Sequence, residues 1–182
     1  MSGLIRYFSK MSGQSKPPPR ATLPEVFWSW VGGFLGISAI GWIQMEWMSP
    51  TDGMMLIGSF GATAILVYGV PSSPLAQPRN VMGGHLISAL IGVLSLQFIP
   101  GNLLIAAALA VSLALAAMHL TRTVHPPGGA TALIAVIGGP KIHALGYLYA
   151  LIPAGLGALI MVLVALLVNN IPQHRRYPEY WL

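Results

Sequence analysis

An all-α, polytopic membrane helix bundle arranged as a 3+3 inverted repeat is the fold this sequence predicts, and three observations carry the prediction. Of its 182 residues, 55% are apolar and 7% charged, with a mean hydropathy of +0.72, and apolar runs extend from residue 26 to residue 170. That is the composition of a chain built against lipid. The runs fall into six pieces, ordered long, short, long and again long, short, long. The two short pieces share one tetrapeptide, Gly61-Ala62-Thr63-Ala64 and Gly129-Ala130-Thr131-Ala132.

Residues 1–24 come first, a basic tail holding Arg6, Lys10, Lys16 and Arg20 with the run Pro17-Pro18-Pro19. The tail lacks the apolar core of a secretory signal and is expected to be cytoplasmic. An amphipathic surface helix across Leu4-Ile5 to Tyr7-Phe8, or a short organelle-targeting segment, are alternative readings of it. The transmembrane domain follows over 25–170, with pieces at about 26–48, 53–68, 81–99, 103–120, 128–137 and 145–168. A span needs roughly 20 apolar residues at about 1.5 Å rise each, so the second and fifth pieces are too short to cross as plain helices. Residues 171–182 form a second cytoplasmic tail. Gly32 and Gly36, then Ala106, Ala110 and Ala114, then Ala154, Gly155, Gly157 and Ala158 mark faces where helices approach closely. Trp28, Trp30, Trp42, Trp47, Tyr147, Tyr177, Tyr180 and Trp181 lie mostly near span ends, as interfacial anchors do.

Charge tests the layout. With six crossings and the N-terminus inside, Arg6, Lys10, Lys16, Arg20, Arg79, Arg122, Arg175 and Arg176 face the cytoplasm and only Lys141 lies outside. If the short pieces merely dip in and return, Arg79 and Arg122 move outside and the bias weakens to six against three. Six elements are therefore preferred. Three crossings per repeat invert the second copy relative to the first, and in inverted-repeat transporters paired Gly/Pro-interrupted segments mark the substrate site.

Several functions are disfavoured. There is no cysteine, which removes disulfides, iron–sulfur clusters and thiolate zinc sites. The basic residues lie in tails and short loops, a pattern of membrane orientation rather than nucleic-acid binding. Glu46 and Asp52 are the only acids between residues 26 and 178, both near one membrane face, and the histidines are scattered. No paired carboxylates, nucleophile–base set or metal site is legible, so no enzyme, cofactor or metal is expected.

The chemistry concentrates at His125-Pro126-Pro127-Gly128-Gly129-Ala130-Thr131-Ala132. Proline is tolerated in a first helical turn and glycine lets other groups approach the backbone, so this run reads as a helix start. Inside a membrane such a start offers unpaired N–H groups and the positive end of a dipole to an anion; at the surface it is an ordinary helix start. Ser59, Thr63 and Thr131 are hydroxyl donors, or else helix caps and back-bonded hydroxyls. Arg79 and Arg122 draw anions inward, or simply set topology. His125 donates to the anion, carries a proton, or braces its loop. His85 and His119 are read as packing or interfacial residues and left outside the site.

Together with Gly58-Ser59-Phe60-Gly61-Ala62-Thr63-Ala64 and the loop Pro71-Ser72-Ser73-Pro74-Leu75-Ala76-Gln77-Pro78-Arg79-Asn80, the His-Pro-Pro-Gly-Gly run closely resembles the HPP family of integral membrane proteins over about residues 25 to 170. The family is usually described with four spanning helices, which differs from the count above in how the short pieces are scored. Its plastid members have been linked to nitrite transport, and the resemblance implies a small-anion transporter or channel. The candidate substrate-binding residues are Ser59, Phe60, Gly61, Ala62 and Thr63, then His125, Pro126, Pro127, Gly128, Gly129, Ala130 and Thr131, with Arg79, Asn80 and Arg122 beside them. The anion is expected between the opposed N-termini of the two short helices. Lipid, and a second copy of the chain, are the other expected partners. The expected location is a bacterial inner membrane, with an organelle membrane as the alternative. A non-transporting structural or partner-binding membrane protein is the rival reading.

Overall fold

The computed structural model describes residues 3–13, 15–47 and 57–182, Trp47 as backbone only, and no strand occurs among them. A seven-residue helix, α1 (Gly3–Ser9), lies exposed in the N-terminal tail. The first long helix, α2, runs Leu23–Trp47, beginning three residues before its apolar piece. The cause is local. Thr22 accepts the Glu25 N–H on Oγ1 at 3.4 Å, and Thr-x-x-Glu with proline in the first turn is a strong helix start.

The first short helix, α3, spans Gly58–Gly69; residues 53–56 of the expected piece lie outside the described residues. A 3-10 turn at Pro74–Ala76 leads into α4, Pro78–Phe98. Next is α5, Leu103–Thr121, whose cap Asn102 accepts the Ile105 N–H at 3.1 Å and which ends on Arg122 in the left-handed conformation, φ 57°. The second short helix, α6, is Pro126–Ile137, with His125 extended at its N-cap and the two prolines in its first turn, as the sequence predicts. Both short helices have 12 residues, and both place their shared tetrapeptide at the fourth position.

The last piece is not the continuous helix expected over 145–168. A short α7 (Pro140–Leu145) precedes a wide helical turn at Ala150–Gly155, and only then does α8 run Leu156–Val168. The break falls at Ile152, φ −136° and ψ 119°, which precedes Pro153. A residue before proline is pushed out of the helical region, and proline cannot donate to the turn behind it.

Among the described residues, four helical stretches are long and apolar enough to cross a membrane: Leu23–Glu46, Pro78–Phe98, Leu103–Thr121 and Ala150–Val168. The short ones reach only about 18 Å. Their directions nevertheless alternate, because one face of the bundle gathers both tails. Arg175 reaches Glu25 at the start of α2, the Tyr68 carbonyl near the end of α3 at 3.2 Å and Asn169 just past α8 at 3.2 Å. Tyr180 donates to Asn80 at the start of α4 at 3.2 Å, and Arg79 donates to the carbonyl of Thr121, the last residue of α5, at 3.0 Å. Thus α2, α4 and α6 leave the tail face while α3, α5 and α8 return to it.

Small residues set the spacing. Ala106, Ala110 and Ala114 of α5 are fully buried against Ala132 and Val136 of α6. Gly32 and Gly36 of α2 face the Tyr68 ring, where a Cβ would collide at 2.6 and 2.3 Å. These are contacts that only small side chains allow where helices pack without a hydrophobic drive from water.

Candidate functional site

At the centre of the bundle, two imidazoles and two hydroxyls join α3, α4 and α6. Thr63 Oγ1 lies 2.8 Å from His85 Nε2 and 3.1 Å from His125 Nε2, and the other nitrogen of His85 lies 2.7 Å from Thr131 Oγ1. His125 Nδ1 is 2.9 Å from the Leu75 carbonyl, which can only accept, so that nitrogen donates. The two rings are 5.0 Å apart between centroids, and Phe60 packs 5.2 Å from His85. Tyr149 donates to the Thr131 carbonyl at 3.0 Å. Thr63, His85, His125, Thr131 and Tyr149 are all 0% exposed.

The threonines of the two shared tetrapeptides are thus the two ends of one bridge. Each is the sixth residue of its 12-residue helix, and His85 spans the gap. His85 is the residue that the sequence reading set aside. The available signal was its depth: it is eight residues into a spanning helix, where an ionisable side chain is costly to bury and points to function.

Burying polar groups in such a place demands partners. Among the described residues one buried side-chain atom lacks them: Ser59 Oγ, in the first turn of α3, is fully buried with no hydrogen-bond partner there. Its carbonyl, one turn before Thr63, lies 3.1 Å from the Thr63 hydroxyl.

The remaining candidates divide. Gly128 abuts Gly84, where a Cβ would come within 2.8 Å of the Gly84 carbonyl and of Ser88 Oγ, and a Cβ at Gly84 would meet His125 at 2.5 Å. Close approach is therefore real at α4 and α6, but it does not occur at Gly61. That residue is exposed on the bundle surface with nothing within 4 Å of a Cβ, as Ala62 is exposed beside it, while Gly129 meets only Val111 at 3.9 Å. Pro127 is buried, Pro126 is exposed, and Ala130 is half-buried. Asn80 donates to the Val124 carbonyl at 2.9 Å and so holds the loop that delivers His125. Arg79 is spent on Thr121, and Arg122 is exposed at the tail face; neither bonds to the histidine cluster.

The start of α6 is also poor in free donors. Pro126 and Pro127 have no N–H, and the Gly128 N–H bonds to the His125 carbonyl at 2.8 Å. The start of α3, Gly58-Ser59-Phe60, contains no proline.

In the sequence, Arg175 reads only as a topology determinant. Its guanidinium is buried and engaged by Glu25, Ser29, Asn169 and the Tyr68 carbonyl, so it clamps the tail to three helices. A polar recess of about 350 Å³ beside it is lined by Glu25, Ser72, His174, Arg176 and Glu179.

Among the described residues, four helices long and apolar enough to cross a membrane and two short apolar ones, packed around a buried hydroxyl–imidazole cluster, define an α-helical integral membrane protein. The chain belongs to the HPP family: the family model described as "HPP, transmembrane region" matches residues 18–178. It is similar to two proteins of Dictyostelium discoideum, both named only as transmembrane proteins, at 43% identity over 180 residues and 44% over 183. Those matches take in 97% and 98% of this chain but 58% and 64% of the relatives, so the chain spans about three fifths of the length of the relatives it matches. No solved structure matches.

Proposed function

We propose that this protein carries a small inorganic anion across its membrane, nitrite first and other small anions next, with the anion bound at the first turn of α3 beside the histidine cluster. The observation that carries the reading is the Ser59 hydroxyl, fully buried without a partner among the described residues at the start of a short helix. An orphan buried hydroxyl is costly unless something fills its hydrogen bond, and a helix start adds N–H groups and a positive dipole end. A small monovalent anion matches both. Weak, distributed donors also suit permeation, since an ion held too tightly cannot leave.

Of the two helix starts expected to hold the anion, α3 carries more of the binding because the prolines of α6 supply no N–H. The alternating directions of the six elements support the inverted-repeat reading, with the tail face cytoplasmic by its basic residues. The membrane is a bacterial inner membrane or an organelle membrane. No enzymatic activity, cofactor or nucleic acid belongs to this reading. Lipid surrounds the bundle, and association with a second copy of the chain remains part of the proposal, although the small-residue faces that suggested it from sequence are buried within the single chain.

Ser59→Ala tests it. Nitrite uptake into proteoliposomes should show a KM raised about tenfold, the size of one lost hydrogen bond to a charged ligand. Thermal stability should hold, because the hydroxyl has no partner to lose among the described residues. An unchanged KM contradicts the assignment.

A further inference from the structure

We infer that the anion moves together with a proton, which is held on a relay in which Thr63 joins His85 to His125; the coupling rests on the anion reading above, whereas the relay stands on geometry alone.

The Leu75 carbonyl fixes the His125 tautomer, and pairing every ring nitrogen then sets the direction of the other links. Because it can only accept, a neutral His125 carries its hydrogen on Nδ1 and leaves Nε2 bare. The Thr63 hydroxyl, 3.1 Å away, then donates to Nε2, and its oxygen accepts from His85 Nε2–H at 2.8 Å. His85 Nδ1 is thereby bare and accepts from the Thr131 hydroxyl at 2.7 Å. One hydrogen serves each link, from Thr131 to His85 to Thr63 to His125 to Leu75, and no donor is left over.

The same atoms satisfy a second state containing one more proton. A proton arriving at His85 Nδ1 releases the Nε2 hydrogen to Thr63, whose own hydrogen passes to His125 Nε2. His125 becomes the imidazolium. His85 ends neutral with its hydrogen on Nδ1, now donating to Thr131. Thr63 turns to give its hydrogen to His85 Nε2, with the Ser59 carbonyl at 3.1 Å as a second acceptor, and Thr131 turns to the Pro127 carbonyl at 3.4 Å. One proton enters, one positive charge appears, and three links reverse without losing a partner. His125 is the terminus, because a carbonyl cannot take the proton onward.

Among the described residues, the titratable side chains beside the relay are the two rings themselves, Tyr149, which donates to the Thr131 carbonyl, and Tyr177, which donates to the Ala76 carbonyl next to Leu75. The tail-face charges Glu25, His174 and Arg175 pair with one another. An imidazolium at His125 is therefore a positive charge without a carboxylate partner in the described cluster, placed against α3, the helix that begins at Gly58 and Ser59. Anion and proton strengthen each other's binding by the same factor.

Nitrogen NMR on protein labelled with ¹⁵N-histidine tests the relay, with assignments from His85→Gln and His125→Gln. Near pH 8, His125 should carry its proton on Nδ1 and His85 on Nε2; acidification until His125 carries protons on both nitrogens should move the His85 proton to Nδ1. A neutral His125 protonated on Nε2, or a His85 that keeps one tautomer throughout, overturns the relay. In proteoliposomes with sodium nitrite, an acid exterior should accelerate wild-type uptake relative to equal pH. Thr63→Val should lose that acceleration ratio and Thr63→Ser should keep it. If Thr63→Val keeps the ratio, the relay does not couple the flux. If the wild type moves no nitrite, the anion reading fails while the NMR result still decides the relay.

Discussion

Gly128 and Gly61 both stand in the first turns of short helices, yet their surroundings are opposite. Gly128 is pressed against the Gly84 carbonyl and Ser88, whereas Gly61 faces open space. Overpacking a tight contact typically costs about 1–3 kcal/mol, while replacing glycine by alanine in an unhindered helix gains up to about 1 kcal/mol. Gly128→Ala should therefore lower the melting temperature in detergent, and Gly61→Ala should leave it unchanged or raise it. Equal losses at the two positions would contradict the packing described. At this scale the sequence was only partly legible. His125, Thr63 and Thr131 stood out because proline, glycine and a repeated tetrapeptide framed them. His85 had only its depth in a helix to mark it, and Ser59 is distinguished by a missing partner, which no sequence displays. Arg175 looked like any tail arginine, since three of its four partners lie 150, 146 and 107 residues away.

Among elements, the long helices were legible from apolar length and the start of α6 from His-Pro-Pro, because both signals are local. What hydropathy missed was also local but of another kind. The stretch before α8 is as apolar as a helix, and only the backbone restriction imposed by Pro153 on Ile152 breaks it. Likewise Thr22 moves the start of α2 outside the apolar run because capping is polar chemistry. The equal lengths of α3 and α6, with the tetrapeptide in the same register, give the repeat more weight than four matching residues in a Gly/Ala-rich chain. The pairing of its two threonines through His85 depends on tertiary packing at Gly84, Gly92 and Gly128, where α4 and α6 approach too closely for side chains.

For the whole molecule, the alternating directions put Arg79 and Arg122 on the face that gathers both tails. The chain has no cysteine, so single cysteines report cleanly. Arg79→Cys and Arg122→Cys should label from the same side as Lys16→Cys in the N-terminal tail, and Lys141→Cys from the opposite side. Labelling of either arginine position from the Lys141 side would restore the four-span layout and dissolve the inverted repeat. The family itself was legible from three ordered motifs, but the cargo is not written in them, since a fold hosts function only through its site. The most direct measurement is uptake by the purified protein in liposomes of nitrite, nitrate, formate and chloride at equal concentration, against protein-free liposomes. Saturable uptake with nitrite foremost is the predicted result; a protein that inserts and remains folded but moves none of the four anions would contradict the account.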